Sequence, residues 1–216
     1  MSKPVLGYWN IRGFAQPNRL LLKYLGVDYE DKRYYHGGPP DYSNDDWLQV
    51  KFSLGLDFPN IPYWIDDKVK LTESRAVFRY LARTYGPKLT PENEPLQAKS
   101  DMVEGFASDL QSALIQYSYT KVAPEEPIEN ALAPRFEQLS NFIGSNEWAL
   151  GDKITYLDFY LYEVLYQFRK YNPDFFVPYP TLAKYLAKFE AIPQLTEYIK
   201  ETEDLKCFSP TARIVF

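Results

Sequence analysis

Pro59-Asn-Ile-Pro-Tyr-Trp-Ile-Asp66, the run Lys68 to Thr72 and then Glu73-Ser-Arg-Ala76 form the stretch on which the reading of this chain turns. Ile61-Pro62 enters a strand, Asp66-Asp67 makes a tight hairpin, a second strand returns, and a helix opens on an acid and a hydroxyl. A backbone edge beside a proline can hold an extended peptide. A helix start presents unpaired N–H groups to an anion. The segment therefore carries the parts needed to grip a small charged peptide.

Outward from this segment, residues 1–85 alternate strand and helix signals. Val5–Trp9 is a short apolar run that reads as a first strand. Pro17 suits a first helical turn, Leu20, Leu21, Tyr24 and Leu25 form an apolar stripe, and Gly26 ends the helix. Tyr29–Tyr35 reads as a second strand with Tyr29, Arg33 and Tyr35 on one face. Gly37-Gly-Pro-Pro40 is a turn-rich loop, and Asp41–Phe52 holds a short irregular helix. Glu73–Tyr85 reads as a helix with Ala76, Val77, Tyr80 and Leu81 inward, stopped by Gly86-Pro87. A βαβ unit followed by ββα is a compact α/β domain of thioredoxin type.

Residues 86–91 read as a linker, and 92–216 as an all-helical domain. Thr90 is an N-cap with Pro91 in the first turn. Val103, Phe106, Leu110, Leu114 and Tyr117 fall at helical spacing. A second helix spans Ile128 to Ile143. A third opens on Thr155-Tyr-Leu-Asp158, a capping box with Asp in the usual Glu place, and turns Leu157, Leu161, Val164, Leu165 and Phe168 inward. Shorter helices follow Pro180 and Pro193.

Composition narrows the class. The chain has 216 residues, 45% hydrophobic and 25% charged, an ordinary globular balance. A net charge of −5, without a Lys/Arg cluster, argues against a nucleic-acid partner. There is no leader-like apolar stretch, and no run of the about 18 apolar residues that a membrane span needs. Cys207 stands alone, which excludes an intrachain disulfide, and with a single His a structural metal site is not expected. A cytoplasmic protein is expected. Nineteen tyrosines against one histidine make any single tyrosine ambiguous by composition, so its motif must decide its role.

Three blocks then agree with one family: Leu6-Gly-Tyr-Trp-Asn-Ile-Arg-Gly13, Trp47-Leu-Gln-Val-Lys-Phe-Ser-Leu-Gly-Leu-Asp-Phe-Pro-Asn-Ile-Pro62 and Gly151-Asp-Lys-Ile-Thr-Tyr-Leu-Asp158. In order and spacing the chain resembles a cytosolic glutathione transferase, closest to the mu class, over nearly its whole length. The stretch Tyr34–Asp46 has the length of that class's extra loop. The resemblance implies conjugation of reduced glutathione to apolar electrophiles, as in detoxification, with glutathione as co-substrate and no metal or organic cofactor. It also implies a homodimer.

The same resemblance assigns roles. Tyr8 is the catalytic residue, donating a hydrogen bond to the glutathione thiolate. Trp9 walls the tripeptide. Ile61, beside Asn60 and a cis Pro62, offers the backbone that pairs with the cysteinyl unit. Glu73 and Ser74 take the γ-glutamyl end; Glu73 stands where the mu class has Gln, and a carboxylate there is a charge-assisted acceptor for the ammonium. Trp47 and Lys51 point at the glycyl carboxylate. Asp109 reaches the ammonium of glutathione in the other subunit. Phe14, His36, Ser112, Tyr119 and Phe208 line the electrophile site. Phe58 is the key aromatic that enters the partner's helical domain. His36 and Ser112 stand where the mu class usually has apolar residues, and Asn44 where Arg is frequent; these departures bear on the second-substrate range more than on the glutathione site. His36 lacks the partners of a catalytic base. Three other readings share parts of the pattern: a glutathione-dependent isomerase of prostaglandin type, a non-catalytic ligand-binding member of the fold, and a redox protein, against which the lack of Cys-x-x-Cys argues.

Overall fold

The apolar run Val5–Trp9 forms β1, an inner strand of a four-stranded sheet ordered β2-β1-β3-β4. The computed structural model describes residues 3–120 and 126–216. β2 (Glu30–Tyr34) runs parallel to β1, with Tyr8 opposite Arg33. A parallel pair needs a crossover, and α1 (Gln16–Leu25) supplies it. β3 (Tyr63–Ile65) pairs antiparallel with β1, and β4 (Lys70–Leu71) with β3. Gly7 lies opposite Tyr63, whose ring fills the space a Cβ would need. The expected strand Tyr29–Tyr35 is one residue shorter at each end, and the Tyr35 side chain is exposed.

The hairpin is closed by Asp66. Its Oδ1 accepts from the N–H groups of Lys68 and Val69, and its Oδ2 from Trp64 Nε1 at 2.9 Å and Tyr80 Oη at 2.8 Å. Those donors hold the Asp66 carboxyl below the usual range, against the opposing pull of its burial. α3 (Ser74–Tyr85) buries Val77, Phe78, Leu81 and Ala82. The expected inward Ala76 is exposed instead: at 3.6 residues per turn, the stripe centred on Val77, Phe78 and Leu81 leaves Ala76 on the outer face.

Beyond Pro87–Leu89, a single 3-10 turn, the chain is helical. α4 (Glu94–Tyr119) is capped by Asn93, whose side chain accepts from Leu96 N, rather than by Thr90, whose hydroxyl bonds back to Pro87 O. The helix expected over Ile128–Ile143 is broken into α5 (Ile128–Ala131) and α6 (Ala133–Ile143). Pro134 explains the break: it has no N–H to give, and its ring crowds the carbonyl four residues back. α7 (Tyr156–Tyr171) opens as expected, with Asp158 Oδ2 accepting from Thr155 N at 2.7 Å. α8 (Pro180–Glu190) and α9 (Pro193–Glu201) follow the two prolines.

α7 is buried on every side from Tyr156 to Phe168, so it is the central helix of this half. Leu157, Leu161, Val164, Leu165 and Phe168 have no exposed surface. Truncating one such leucine to alanine costs about 2–5 kcal/mol. The same helix carries three equally buried polar residues: Asp158 in its capping box, and Glu163 and Gln167, which point toward the sheet-bearing half of the molecule. A short helix, α2 (Asp45–Leu48), sits in the long loop between β2 and β3.

Candidate active site

The loop from β1 to α1 is the centre of the site. Tyr8 is the penultimate residue of β1 and only 5% exposed. Its Oη accepts a hydrogen bond from Phe14 N at 3.2 Å. That approach depends on Gly13, which has φ +42° and would place a Cβ 2.5 Å from Tyr8 Oη. Any other residue would be strained in its backbone and would collide with the hydroxyl. Burial pushes the Tyr8 phenol up to about 12, with the Phe14 amide and Arg19 pulling the other way and Tyr119 adding to the rise. The hydroxyl therefore keeps its proton at neutral pH. With an amide hydrogen behind its oxygen, its own hydrogen is left to point elsewhere.

Buried arginines hold this loop from two sides. Arg19, on α1, donates from Nη1 to Ile11 O at 2.7 Å and from Nη2 to Trp9 O at 3.3 Å, and its Nε pairs with Asp31. Arg33 joins Asp31 to the Asn10 side chain. From the helical half, Glu163 takes Arg12 Nε at 3.0 Å and Nη2 at 2.6 Å, while Arg12 Nη1 donates to Thr202 O. The Arg12 guanidinium lies 3.9 Å from the centre of the Tyr166 ring. Gln167 Nε2 donates to Gly13 O, and the backbone amides of Arg12 and Gly13 donate to Lys206 O and Cys207 O. Sequence reading missed Arg12, Arg19, Glu163 and Gln167. One signal was available: Glu163 and Gln167 sit four apart in residues 159–168, a stretch of α7 whose other residues are all apolar or aromatic, and polar residues buried in a core need partners.

Of the residues expected to face the tripeptide, Trp9 and Ile61 pack against the small cluster of Tyr8, Ile11 and Ala15. Trp9 is half-buried, with His36 stacked on it at 4.2 Å. Trp47, from α2, is buried between Tyr34 and Tyr63 rather than standing in the open. Lys51 follows one turn later, with Nζ 5.4 Å from the ring of Phe52. The Ile61–Pro62 bond is cis, and the Ile61 N–H is held by Asn60 Oδ1 at 2.9 Å. Glu73 has φ 66°, a left-handed conformation that costs a non-glycine residue about 1–3 kcal/mol. It turns the chain sharply into Ser74, the first residue of α3, whose free N–H groups face outward at the helix start. Asp109 is exposed on α4 and pairs with Arg135 at 3.1 Å.

The residues expected at the electrophile site are less uniformly enclosed. Phe14 is 41% exposed and Tyr119, at the end of α4, 38%. Tyr119 Oη accepts from Ser209 N at 2.9 Å, and its ring meets the edge of Phe208, which is itself buried. Ser112 is exposed on α4. His36 is tied to Asn44 through Nδ1 at 3.0 Å, and burial lowers its pKa from 6.5. Phe58 is 76% exposed.

Comparison with known proteins points one way. The family model described as Glutathione S-transferase, N-terminal domain, matches residues 4–83, and that described as Glutathione S-transferase, C-terminal domain, matches 108–202. A Glutathione S-transferase of Dermatophagoides pteronyssinus is 40% identical, over 99% of this chain and 97% of its own. Glutathione S-transferase Mu 1 of Rattus norvegicus is 40% identical, over 93% of this chain and 92% of its own. The crystal structure of the glutathione S-transferase Blo t 8 superposes with a TM-score of 0.82 at 39% identity, covering 97% of this chain and 99% of that one.

Proposed function

The chain belongs to the glutathione S-transferase family, and from that membership we propose that it conjugates glutathione to apolar electrophiles with Tyr8 as the donor that stabilises the thiolate. A free thiol of this kind titrates near 8.5, and only the thiolate is a strong nucleophile. A fixed hydroxyl aimed at the sulfur favours the anion and costs no reorganisation when the reaction occurs. The thiol proton passes to solvent, the sulfur lone pair forms a bond to the electrophilic carbon, and the bond to the leaving group breaks. The observation that carries this reading is the Tyr8 hydroxyl, protonated and backed by the Phe14 amide. No metal or organic cofactor enters these steps.

The remaining assignments follow the same reading. The γ-glutamyl carboxylate lies at Ser74 and the start of α3, with its ammonium at Glu73. The glycyl carboxylate lies toward Lys51 and the indole of Trp47, and Trp9 walls the peptide between. The cysteinyl unit pairs with Ile61 and replaces the local bond that Asn60 now makes. Phe14, His36, Ser112, Tyr119 and Phe208 receive the electrophile. Asp109 serves the glutathione of a partner subunit once released from Arg135. The protein acts as a homodimer in the cytoplasm. An exposed Phe58 supports the dimer, as does an apolar pocket of about 170 Å³ between α4 and α6, lined by Met102, Val103, Phe106, Leu139 and Phe142, where a partner's Phe could seat. Among the described residues, no helix is long and apolar enough to cross a membrane.

The test is a conjugation assay over a panel of electrophiles with and without glutathione, with products identified by mass. Glutathione-dependent thioethers support the reading. Isomerised product without a thioether, or no turnover together with failure to bind a glutathione resin, would overturn it.

A further inference from the structure

The peptide between Gly13 and Phe14 does two things at once. Its N–H donates to Tyr8 Oη at 3.2 Å, and its carbonyl accepts from Gln167 Nε2 at 3.3 Å. The chain of bonds continues behind it. Gln167 Oε1 accepts from Gln111 Nε2 at 3.4 Å, and Gln111 Oε1 accepts from Tyr160 Oη at 3.0 Å. Gln111, Tyr160 and Gln167 are 2%, 6% and 0% exposed, so water does not compete for these groups.

The direction of every link is forced. Gln167 Nε2 faces the Glu163 carboxylate at 3.1 Å as well as the Gly13 carbonyl, and both can only accept while Glu163 stays ionised against Arg12. That corner of Gln167 must therefore be its NH₂, which turns its oxygen toward Gln111. Gln111 must then give an N–H there and turn its own oxygen to Tyr160, whose hydroxyl donates. All donors consequently run one way: from Tyr160, through the two glutamines and the Gly13–Phe14 peptide, to the oxygen of Tyr8. Hydrogen bonds aligned head to tail polarise one another, and an amide whose carbonyl is hydrogen-bonded is a better donor.

We propose that Gln167, with Gln111 and Tyr160 behind it, is a positioning residue for the reaction: a relay from the helical core that fixes the Gly13–Phe14 peptide and strengthens the hydrogen bond that Tyr8 gives to sulfur. The inference rests on Tyr8 being the sulfur donor. Gln167 touches neither substrate nor sulfur, and its effect passes through one peptide plane. Glu163 has the second task of holding the orientation of Gln167, so the buried ion pair with Arg12 serves the relay as well as the fold.

The test is an ultraviolet titration of the thiolate of bound glutathione in the full-length wild type, Gln167→Leu, Tyr160→Phe and Tyr8→Phe proteins, with pH profiles of kcat and binding of S-methylglutathione, which carries no thiol proton. Gln167→Leu should raise the thiol pKa by about half a unit to one unit and lower kcat about 3- to 10-fold at pH 6.5, with recovery by pH 9 and S-methylglutathione affinity within about 2-fold. Tyr160→Phe removes a single oxygen at the far end and should shift the thiol in the same direction by less. If Gln167→Leu does not fold, Tyr160→Phe decides. A thiol pKa that moves in Tyr8→Phe but in neither relay variant would overturn the relay alone, as would a loss of kcat equal at all pH values. A thiol pKa unmoved even in Tyr8→Phe would overturn the reading of Tyr8 and the relay with it.

Discussion

The buried groups behind Tyr8 and the residues expected to meet the electrophile are built on opposite terms. Behind Tyr8, the groups are buried and each is held by several others: Arg12 by Glu163 and Thr202, Arg19 by Asp31 and two backbone carbonyls, Gln167 by Glu163, Gln111 and Gly13. By contrast, Phe14, Ser112 and Tyr119 are exposed, and His36 leans on Trp9 with one bond to Asn44. The groups behind Tyr8 are preorganised at the expense of burying charges, whereas Phe14, Ser112 and Tyr119 are left open. That contrast suits the proposed function, in which one fixed electrostatic contact is combined with proximity of two substrates.

Breaking the fixed side should be expensive. Glu163→Ala leaves the Arg12 guanidinium buried without a counter-charge and should cost about 3–5 kcal/mol of stability, read as a lower denaturant midpoint. A loss below about 1 kcal/mol would mean that water or the Tyr166 ring replaces the carboxylate. Tyr8→Phe keeps the shape and removes the donor; kcat should fall about 10²-fold or somewhat less, near 2.7 kcal/mol, with little change in glutathione binding. Phe58→Ala touches neither side and tests the assembly alone. If Phe58 is an interface anchor, dimerisation should weaken by about 2 kcal/mol or more in sedimentation, while the thiol pKa of bound glutathione stays put.

The open side should respond least. His36→Leu should alter the KM of individual electrophiles by about 1 kcal/mol in either direction and leave the thiol pKa unchanged. A shift in that pKa would show that the rim is coupled to the sulfur after all. His36 itself should titrate below 6.5 by NMR. Its pKa is lowered on folding, so the unfolded chain takes up the proton first. Stability contributed by this loop is therefore intact above 6.5 and declines as pH falls from there toward the folded value.

How much was legible beforehand follows the same division. The strand–helix order, the left-handed Gly26, the hairpin at Asp66 and the Thr155–Asp158 cap are local, and local rules found them. Thr90 misled because two cap-competent residues lie close together, and the helix took Asn93. The helix over Ile128–Ile143 was read through Pro134, which broke it. The assignment of Tyr8 rests on its motif, since composition could not single out one tyrosine among nineteen. The wall behind it was not legible. Arg12 and Glu163 are 151 positions apart, and Gln167 and Gly13 are 154 apart, so no periodicity links them. Phe14 was read as an apolar side chain for the pocket, yet its backbone N–H is the contact that Tyr8 uses.

The Tyr8 oxygen accepts from Phe14, and the proposed mechanism gives its hydrogen to sulfur. The decisive measurement is a crystal structure of the protein with glutathione bound. The cysteinyl sulfur should lie within hydrogen-bond distance of Tyr8 Oη, with the Phe14 N–H still behind that oxygen. A sulfur resting on any other donor, with the Tyr8 hydroxyl bonded elsewhere, would contradict it.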